Sequence, residues 1–185
     1  DDGPLVMLVQ GLAKGEKMDS VIRHATELGV AAFMPLTCER SIVKLDAKKT
    51  RTRLDRWCSI AKSAAMQSGQ PRIPEVLEPR SSKEAAAELA EATAVLICWE
   101  EAPQTASLAQ AIGRGLSECS CPRGDARIAV VVGPEGGLTE REVGFFLDAN
   151  PRASLVSLGS SILRTETAGV VAPALTLYEL GKLGG

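Results

Sequence analysis

The sequence predicts an α/β domain built on an open, mostly parallel sheet with helices on both faces. Apolar runs of strand length alternate along the chain with segments of helical periodicity, which is typical of parallel α/β folds. Residues 127–132 are almost continuously apolar, as expected of a central strand covered on both faces. With 185 residues, 45% of them hydrophobic and 3% aromatic, the chain can form one core of small and branched side chains.

In the N-terminal half, residues 5–9 and 30–36 are predicted strands. The helix between them should end at Gly29, which suits a left-handed cap. Residues 48–68 form a long helix with a basic outer face. The residues predicted on its buried face are Leu54, Trp57, Cys58, Ala61 and Ala65.

In the C-terminal half, two capping boxes mark helix starts. Ser81 with Glu84 opens a short Ala-rich helix, and Thr139 with Glu142 opens another that runs to about residue 149. Strands are predicted at 94–99 and 154–158, and a variable loop at 100–125. The last helix should span 166–180, with Thr165 as its cap.

Positive charge is concentrated in one stretch although the net charge is −2. Residues 40–62 contain eight basic and two acidic side chains, so they carry +6 and the remainder carries −8. A local basic surface attracts phosphates whatever the total charge is. A solvated helix face is the alternative interpretation. The candidate RNA-binding residues are Arg40, Lys44, Lys48, Lys49, Arg51 and Arg53.

Metal and membrane sites are not expected. The five cysteines and one histidine lack the spacing of a zinc site, and reduced thiols indicate an intracellular protein. The cytoplasm is the expected location, and an organelle is the alternative. No apolar run is long enough for a membrane span, and there is no signal peptide.

Two glycine-containing turns, at 133–137 and 158–168, each follow a predicted strand. In open α/β sheets, ligands bind beyond the carboxyl ends of strands, so these turns are candidate binding loops. Neither matches a phosphate-binding or dinucleotide-binding motif. Arg164 precedes the last helix, where the helix dipole disfavours a cation, and this departure from the local rule indicates a functional site.

These segments are similar to the signature segments of a known enzyme family. The run Gly133-Pro134-Glu135-Gly136-Gly137-Leu138 and the run from Leu158-Gly159 to Ile162-Leu163-Arg164-Thr165-Glu166-Thr167-Ala168 resemble those of the RsmE family of small-subunit ribosomal RNA methyltransferases. Shorter runs, including Lys17-Met18 and Thr26-Glu27-Leu28-Gly29-Val30, agree in order and spacing. The resemblance covers residues 5–180, apart from 100–125.

The resemblance implies a SPOUT fold, whose C-terminal segment forms a trefoil knot, with S-adenosylmethionine bound in the knot and a homodimer as the working form. It also implies that the chain is one catalytic domain, 1–185, without the family's N-terminal PUA-like RNA-binding domain. The expected cofactor-binding residues are Leu36, Val132, Gly133, Pro134, Glu135, Gly136, Gly137, Leu158, Gly159, Ile162, Leu163, Arg164, Thr165, Thr167 and Ala168.

The implied reaction is methylation of uracil N3 in small-subunit ribosomal RNA. Arg164 is the candidate for stabilising the uracil anion, and Glu135 or Glu166 for accepting the N3 proton or orienting the base. The alternatives are another SPOUT activity, on a ribose 2′-hydroxyl or a guanine, and a non-catalytic RNA-binding module.

Overall fold

The computed structural model describes residues 3–103 and 107–184, which form one seven-stranded sheet flanked by helices. The strand order is β3-β2-β1-β6-β5-β7, with β4 also beside β2, and every strand pairing within the described residues is parallel. The predicted α/β architecture is therefore confirmed. In chain order the elements are β1 (Leu5–Gly11), α1 (Lys17–Leu28), β2 (Ala32–Thr37), α2 (Ala47–Ser68), β3 (Glu75–Val76), β4 (Arg80–Ser81), α3 (Ser82–Glu88), β5 (Ala94–Cys98), α4 (Leu108–Glu118), β6 (Arg127–Val132), α5 (Glu140–Ala149), β7 (Ala153–Val156) and α6 (Thr165–Glu179).

Helices cover both faces of the sheet, because side chains along each strand alternate between two hydrophobic clusters. On β1, Val6 and Leu8 pack with residues of α1, α2, α4 and α6, whereas Val9 packs with residues of α3 and α5. This double cover explains the near-continuous apolar run of β6.

The prediction of a variable loop at 100–125 was wrong for much of its length, since α4 lies within it. Ser107 caps this helix by accepting a hydrogen bond from the N–H of Gln110. A Cβ on Gly115 would lie 2.4 Å from the Thr93 carbonyl oxygen, so this glycine lets the helix pack closely on β5. Gly115 and the neighbouring Gly113 also made the segment look like a loop in the sequence. Residues 104–106 of the predicted loop lie outside the described residues.

Two further details differ from the sequence prediction. Cys58 is exposed, and Ala64 is buried on α2 in its place, because the helix turns a slightly different face to the core. Thr165 is the first residue of α6 and not its cap; Arg164 is the N-cap and makes no side-chain capping bond. Both predicted capping boxes are confirmed.

The strand register brings the carboxyl ends of four strands to one edge of the sheet. The residues aligned across β1, β6, β5 and β7 are Gln10, Val132, Cys98 and Val156. From the outer strand β7, the chain returns as α6 to pack on α1 and β1. The trefoil knot expected for this segment stays a prediction.

Candidate active site

Residues 132–137 and 158–168 converge on one cavity of about 820 Å³ at the carboxyl edge of the sheet. The cavity is lined by the segments that follow β5, β6 and β7 and by the starts of α1 and α6. The predicted site residues that line it are Val132, Gly133, Pro134, Glu135, Gly137, Leu158, Gly159, Ile162, Leu163, Arg164, Thr165, Glu166 and Ala168. The two candidate binding loops therefore line one cavity.

Three predicted cofactor residues are not among those that line the cavity. Leu36 is fully buried in the core between the sheet and helices α3 and α5. The Gly136 carbonyl accepts a hydrogen bond of 3.2 Å from the Arg40 guanidinium, and Thr167 is exposed on α6. The structure therefore places Leu36, Gly136 and Thr167 behind or beside the cavity wall.

Backbone geometry explains two of the glycines. Gly137 has φ +70° and Gly159 has φ +120°, in the region where other residues are strained. A Cβ on Gly137 would also lie 2.3 Å from a carboxylate oxygen of Glu100, another cavity residue. The positive φ therefore favours glycine at this position, and a larger residue would also displace the Glu100 carboxylate.

A lysine between two carboxylates forms the charged wall of the cavity. Lys17 Nζ lies 3.1 Å from Glu135 Oε1 and 3.5 Å from Glu166 Oε2. Glu135 Oε1 also accepts a hydrogen bond of 2.9 Å from the backbone N–H of Lys14. Within the described residues, the buried oxygen Glu166 Oε2 accepts no hydrogen bond, so its contact with Lys17 is an ion pair only.

The two carboxylates therefore differ in the number of hydrogen bonds that they accept. The hydrogen bond to Glu135 raises the pKa of Lys17 above its ordinary value. Burial raises the pKa of Glu135, but hydrogen bonds from the Lys14 N–H, its own N–H and Lys17 outweigh it, so the pKa is lowered. Glu135 is held as an anchored anion, whereas Glu166 is the less committed carboxylate.

A buried hydrogen-bond chain joins the two predicted binding segments. The Thr165 hydroxyl donates to the Gly133 carbonyl at 2.6 Å and accepts from the Gln10 side-chain amide at 2.9 Å. Gln10 is 1% exposed at the end of β1. Thr165 thus acts through its side chain across the site and not as a helix cap.

Arg164 lines the cavity with an exposed side chain. Within the described residues its guanidinium has no hydrogen bond or ion pair, although its carbonyl accepts the N–H of Ala168 in α6. A cation at a helix N-terminus without a carboxylate partner gains nothing from the local structure. Its five N–H donors are available to a ligand in the cavity.

Covalent catalysis by the cavity thiol is disfavoured. Burial raises the pKa of Cys98 to about 12, so the thiol stays protonated at neutral pH.

Among the described residues, no cluster of three or more His, Cys, Asp or Glu side chains could hold a metal ion. No helix in the described part of the chain is long and apolar enough to cross a membrane.

The predicted basic surface lies on one side of the cavity, on the segment after β2 and on α2. Arg40 contacts the Gly136 carbonyl, and Arg53 contacts the Gly15 carbonyl at 3.4 Å. Lys49 pairs with its helix cap, Asp46, at 3.7 Å. The predicted residues with exposed side chains are Arg40, Lys44, Lys48, Lys49 and Arg51. The surface begins at the rim of the cavity and extends along α2.

Sequence reasoning missed several residues of the site. Lys17, Cys98, Trp99, Glu100 and Ala102 line the cavity. Lys17 could have been recognised from the sequence, because a cation in the first turn of a helix is as unfavourable as the cation of Arg164 before α6. Trp99 donates its indole N–H to the Leu138 carbonyl at 3.1 Å and holds the turn after β6 against β5.

Comparison with known proteins shows the family. The profile of the RNA methyltransferase domain family matches residues 2–177. The Ribosomal RNA small subunit methyltransferase E of Bacillus subtilis is 36% identical over 180 residues, covering 97% of this chain and 68% of the relative. This chain belongs to the small-subunit ribosomal RNA methyltransferase E family. The Mycobacterium bovis member is 35% identical and is matched over 91% of this chain and 61% of its own length.

A solved structure of the methyltransferase E family has the same fold. The enzyme from Neisseria gonorrhoeae, bound to S-adenosyl methionine, superposes with a TM-score of 0.75 and 32% identity over 96% of this chain and 68% of that one. The family's SPOUT-type α/β fold is thus shown for this chain, which spans about two thirds of the length of these relatives.

Proposed function

We propose that this chain is the catalytic part of an S-adenosylmethionine-dependent methyltransferase that methylates N3 of a uridine in small-subunit ribosomal RNA, in the cytoplasm. The observation that carries the proposal is the convergence of the two glycine turns on one cavity, in a chain of the methyltransferase E family. The relative from Neisseria gonorrhoeae binds S-adenosyl methionine, and the relatives are named for ribosomal RNA.

The cavity suits the cofactor in size and chemistry. Its volume of about 820 Å³ falls within the usual range of small-molecule sites, roughly 300–1,000 Å³. Leu158, Ile162 and Leu163 give an apolar wall for an adenine ring. Glu135 and Glu166 supply negative charge for a ligand that carries a sulfonium and an ammonium group.

The bound cofactor supplies an electrophilic methyl group, and the protein must prepare the nucleophile. Uracil N3 has to lose its proton before it can attack. We assign Glu166 as proton acceptor, because Glu135 is already committed to the Lys14 N–H and Lys17. Lys17 then orients Glu166 through their ion pair.

Arg164 is assigned to the charge that develops on the base. Deprotonation of N3 spreads negative charge onto the two uracil carbonyl oxygens, and a guanidinium that faces the cavity can donate hydrogen bonds to them. The side chain needs no rearrangement of partners to do this, since it has none within the described residues.

The basic surface is assigned to the RNA backbone. Lys44, Lys48 and Arg51 are exposed on the segment that follows Arg40, and Arg40 contacts the turn after β6. Phosphates bound along this surface would lead the strand to the cavity.

We also propose that the chain works as a homodimer, with α6 in the interface. Its outward side carries an apolar stripe at helical spacing, where Leu175 is 42% and Tyr178 is 59% exposed and Val171 and Ala174 are half-buried. A helix that is apolar around its circumference is normally covered. Sedimentation equilibrium tests this assignment, and a monomer at micromolar concentration counts against it.

Nucleoside analysis by mass spectrometry tests the proposed reaction. Small-subunit ribosomal RNA incubated with the chain and S-adenosylmethionine should gain 3-methyluridine. A 2′-O-methyl nucleoside or a methylguanosine would show a different methyltransferase activity. Cofactor-independent RNA binding without any methylated product would favour a binding module.

A further inference from the structure

Gln10 is a buried polar side chain in a mostly apolar layer. It lies at the end of the central strand β1, is 1% exposed, and points to the same face as Val6 and Leu8, which are core residues. It is not among the described residues that line the cavity. Its side chain reaches Thr165 in the first turn of α6, which does line the cavity.

The direction of the hydrogen bonds follows from the chemistry of Thr165. A hydroxyl has one proton, and at 2.6 Å from the Gly133 carbonyl, which can only accept, that proton belongs to this contact. Gln10 must therefore present its NH₂ group to Thr165 Oγ1, at 2.9 Å. The resulting chain, Gln10 to Thr165 to Gly133, crosses from β1 through α6 to the turn after β6.

This arrangement has a cost in the core. Within the described residues, Gln10 Oε1 is buried and has no hydrogen-bond partner. A Cβ at Gly169 would lie 2.4 Å from the same oxygen, so α6 also needs a glycine to accommodate it. If the position served stability alone, an apolar side chain of similar size would be better, because an unsatisfied buried acceptor destabilises the fold.

We propose that Gln10 is a positioning residue for the cofactor cavity: through Thr165 it sets the spacing between the start of α6 and the turn at Gly133. The inference rests on the proposed function, since it assigns a cause to the cofactor affinity of that site. The side chain acts through Thr165 and Gly133 and contacts no ligand itself. The position thus favours binding at the expense of stability, as functional positions often do.

The test compares cofactor affinity with stability in the same variants of the whole chain. Gln10→Met keeps the size of the side chain and removes the donor to Thr165. By calorimetric titration with S-adenosylmethionine, we expect its Kd to rise by about three- to tenfold, the loss of one net hydrogen bond. By urea unfolding, its midpoint should equal or exceed that of the wild type.

Two further variants separate positioning from general packing. Thr165→Val should also weaken cofactor binding, and adding Gln10→Met to it should cause little further loss, because both residues belong to one hydrogen-bond chain. Thr176→Val is the matched control: its buried hydroxyl donates to the Ala172 carbonyl at 2.9 Å, in the same helix but away from the cavity. The control should lose stability and keep its cofactor affinity.

The possible results are distinguishable. If the wild type binds cofactor and Gln10→Met binds it equally well, or if Gln10→Met unfolds at lower urea or fails to fold, the positioning role is wrong. If the effects of Gln10→Met and Thr165→Val simply add, the chain of hydrogen bonds is not the cause. A folded wild type that binds no cofactor refutes the proposed function itself.

Discussion

Replacing Glu142 with alanine should destabilise the fold and release the loop that carries Arg40 beside the cavity. Its buried carboxylate, in a residue that is 1% exposed, joins three parts of the chain. One oxygen accepts from the Ser82 hydroxyl at 2.7 Å and the Glu39 N–H at 3.0 Å, and the other from the Thr139 N–H at 3.0 Å. Glu142 therefore fixes the loop that carries Arg40 beside the cavity.

The magnitude follows from the donors that would be left. The Ser82 hydroxyl can rotate to another acceptor, but the two backbone N–H groups cannot. An unsatisfied buried donor costs about 1–3 kcal/mol, and because both N–H groups are part-buried each should cost an amount near the lower end. Glu142→Ala should therefore lower the free energy of unfolding by roughly 2–3 kcal/mol. Glu84→Ala is the control, because Glu84 closes an equivalent capping box on the exposed side of helix α3, where water can replace it.

Urea denaturation of both variants gives the comparison. We expect a large shift in midpoint for Glu142→Ala and a much smaller one for Glu84→Ala. Equal shifts for the two variants would refute the reasoning, since they would show that Glu142 contributes only a helix cap.

Three other predictions concern the site itself. Arg164→Ala should keep the fold and the cofactor affinity but lower kcat about a hundredfold or more, the usual effect of losing a donor to a developing anion; loss of cofactor binding at unchanged kcat would contradict the assignment. Arg51→Glu with Arg53→Glu should weaken RNA binding and flatten its dependence on salt, measured by fluorescence anisotropy, while Lys83→Glu on the opposite face of the sheet should do neither. The Lys17–Glu135 pair should stabilise the fold fully between pH 4.5 and pH 10.5, the ordinary pKa values of its two groups. Because the pKa of Glu135 is lowered in the folded state, the stability that Glu135 contributes is lost as the pH falls below 4.5. Because the pKa of Lys17 is raised, the stability that Lys17 contributes is lost as the pH rises above 10.5. Lys17→Met should remove the alkaline limb of the stability–pH curve and reduce the acid limb, where the hydrogen bond from the Lys14 N–H to Glu135 remains. An unchanged curve would show that the pair is not coupled.

Much of the fold and half of the site could be predicted because their signals are local. The strands are apolar runs, the helix starts are capping boxes such as that of Thr139, and the two binding turns follow strands whose ends share one edge of the sheet. Arg164 was recognisable because it opposes a local rule of helix formation.

The rest depends on contacts between distant segments. The link from Gln10 to Thr165 spans 155 residues, and that from Lys17 to Glu135 spans 118. These two contacts can be recognised only once the strand register, which places β1 beside β6, is known. Helix α4 was not predicted for a related reason. Glycine is unfavourable in a helix, and Gly115 is needed there because of its close contact with the residue before β5, which the sequence does not show.

The most direct test of the account is a calorimetric titration of the chain with S-adenosylmethionine, alongside an Ala168→Phe variant. Ala168 lines the cavity at the start of α6, and a phenyl ring there would occupy the space assigned to the cofactor. We predict one cofactor bound per chain and a large loss of affinity in the variant, with folding of both proteins checked by circular dichroism. A folded wild type that binds no cofactor, or a folded variant that binds it as tightly as the wild type, would contradict the claim that these two segments form the cofactor site.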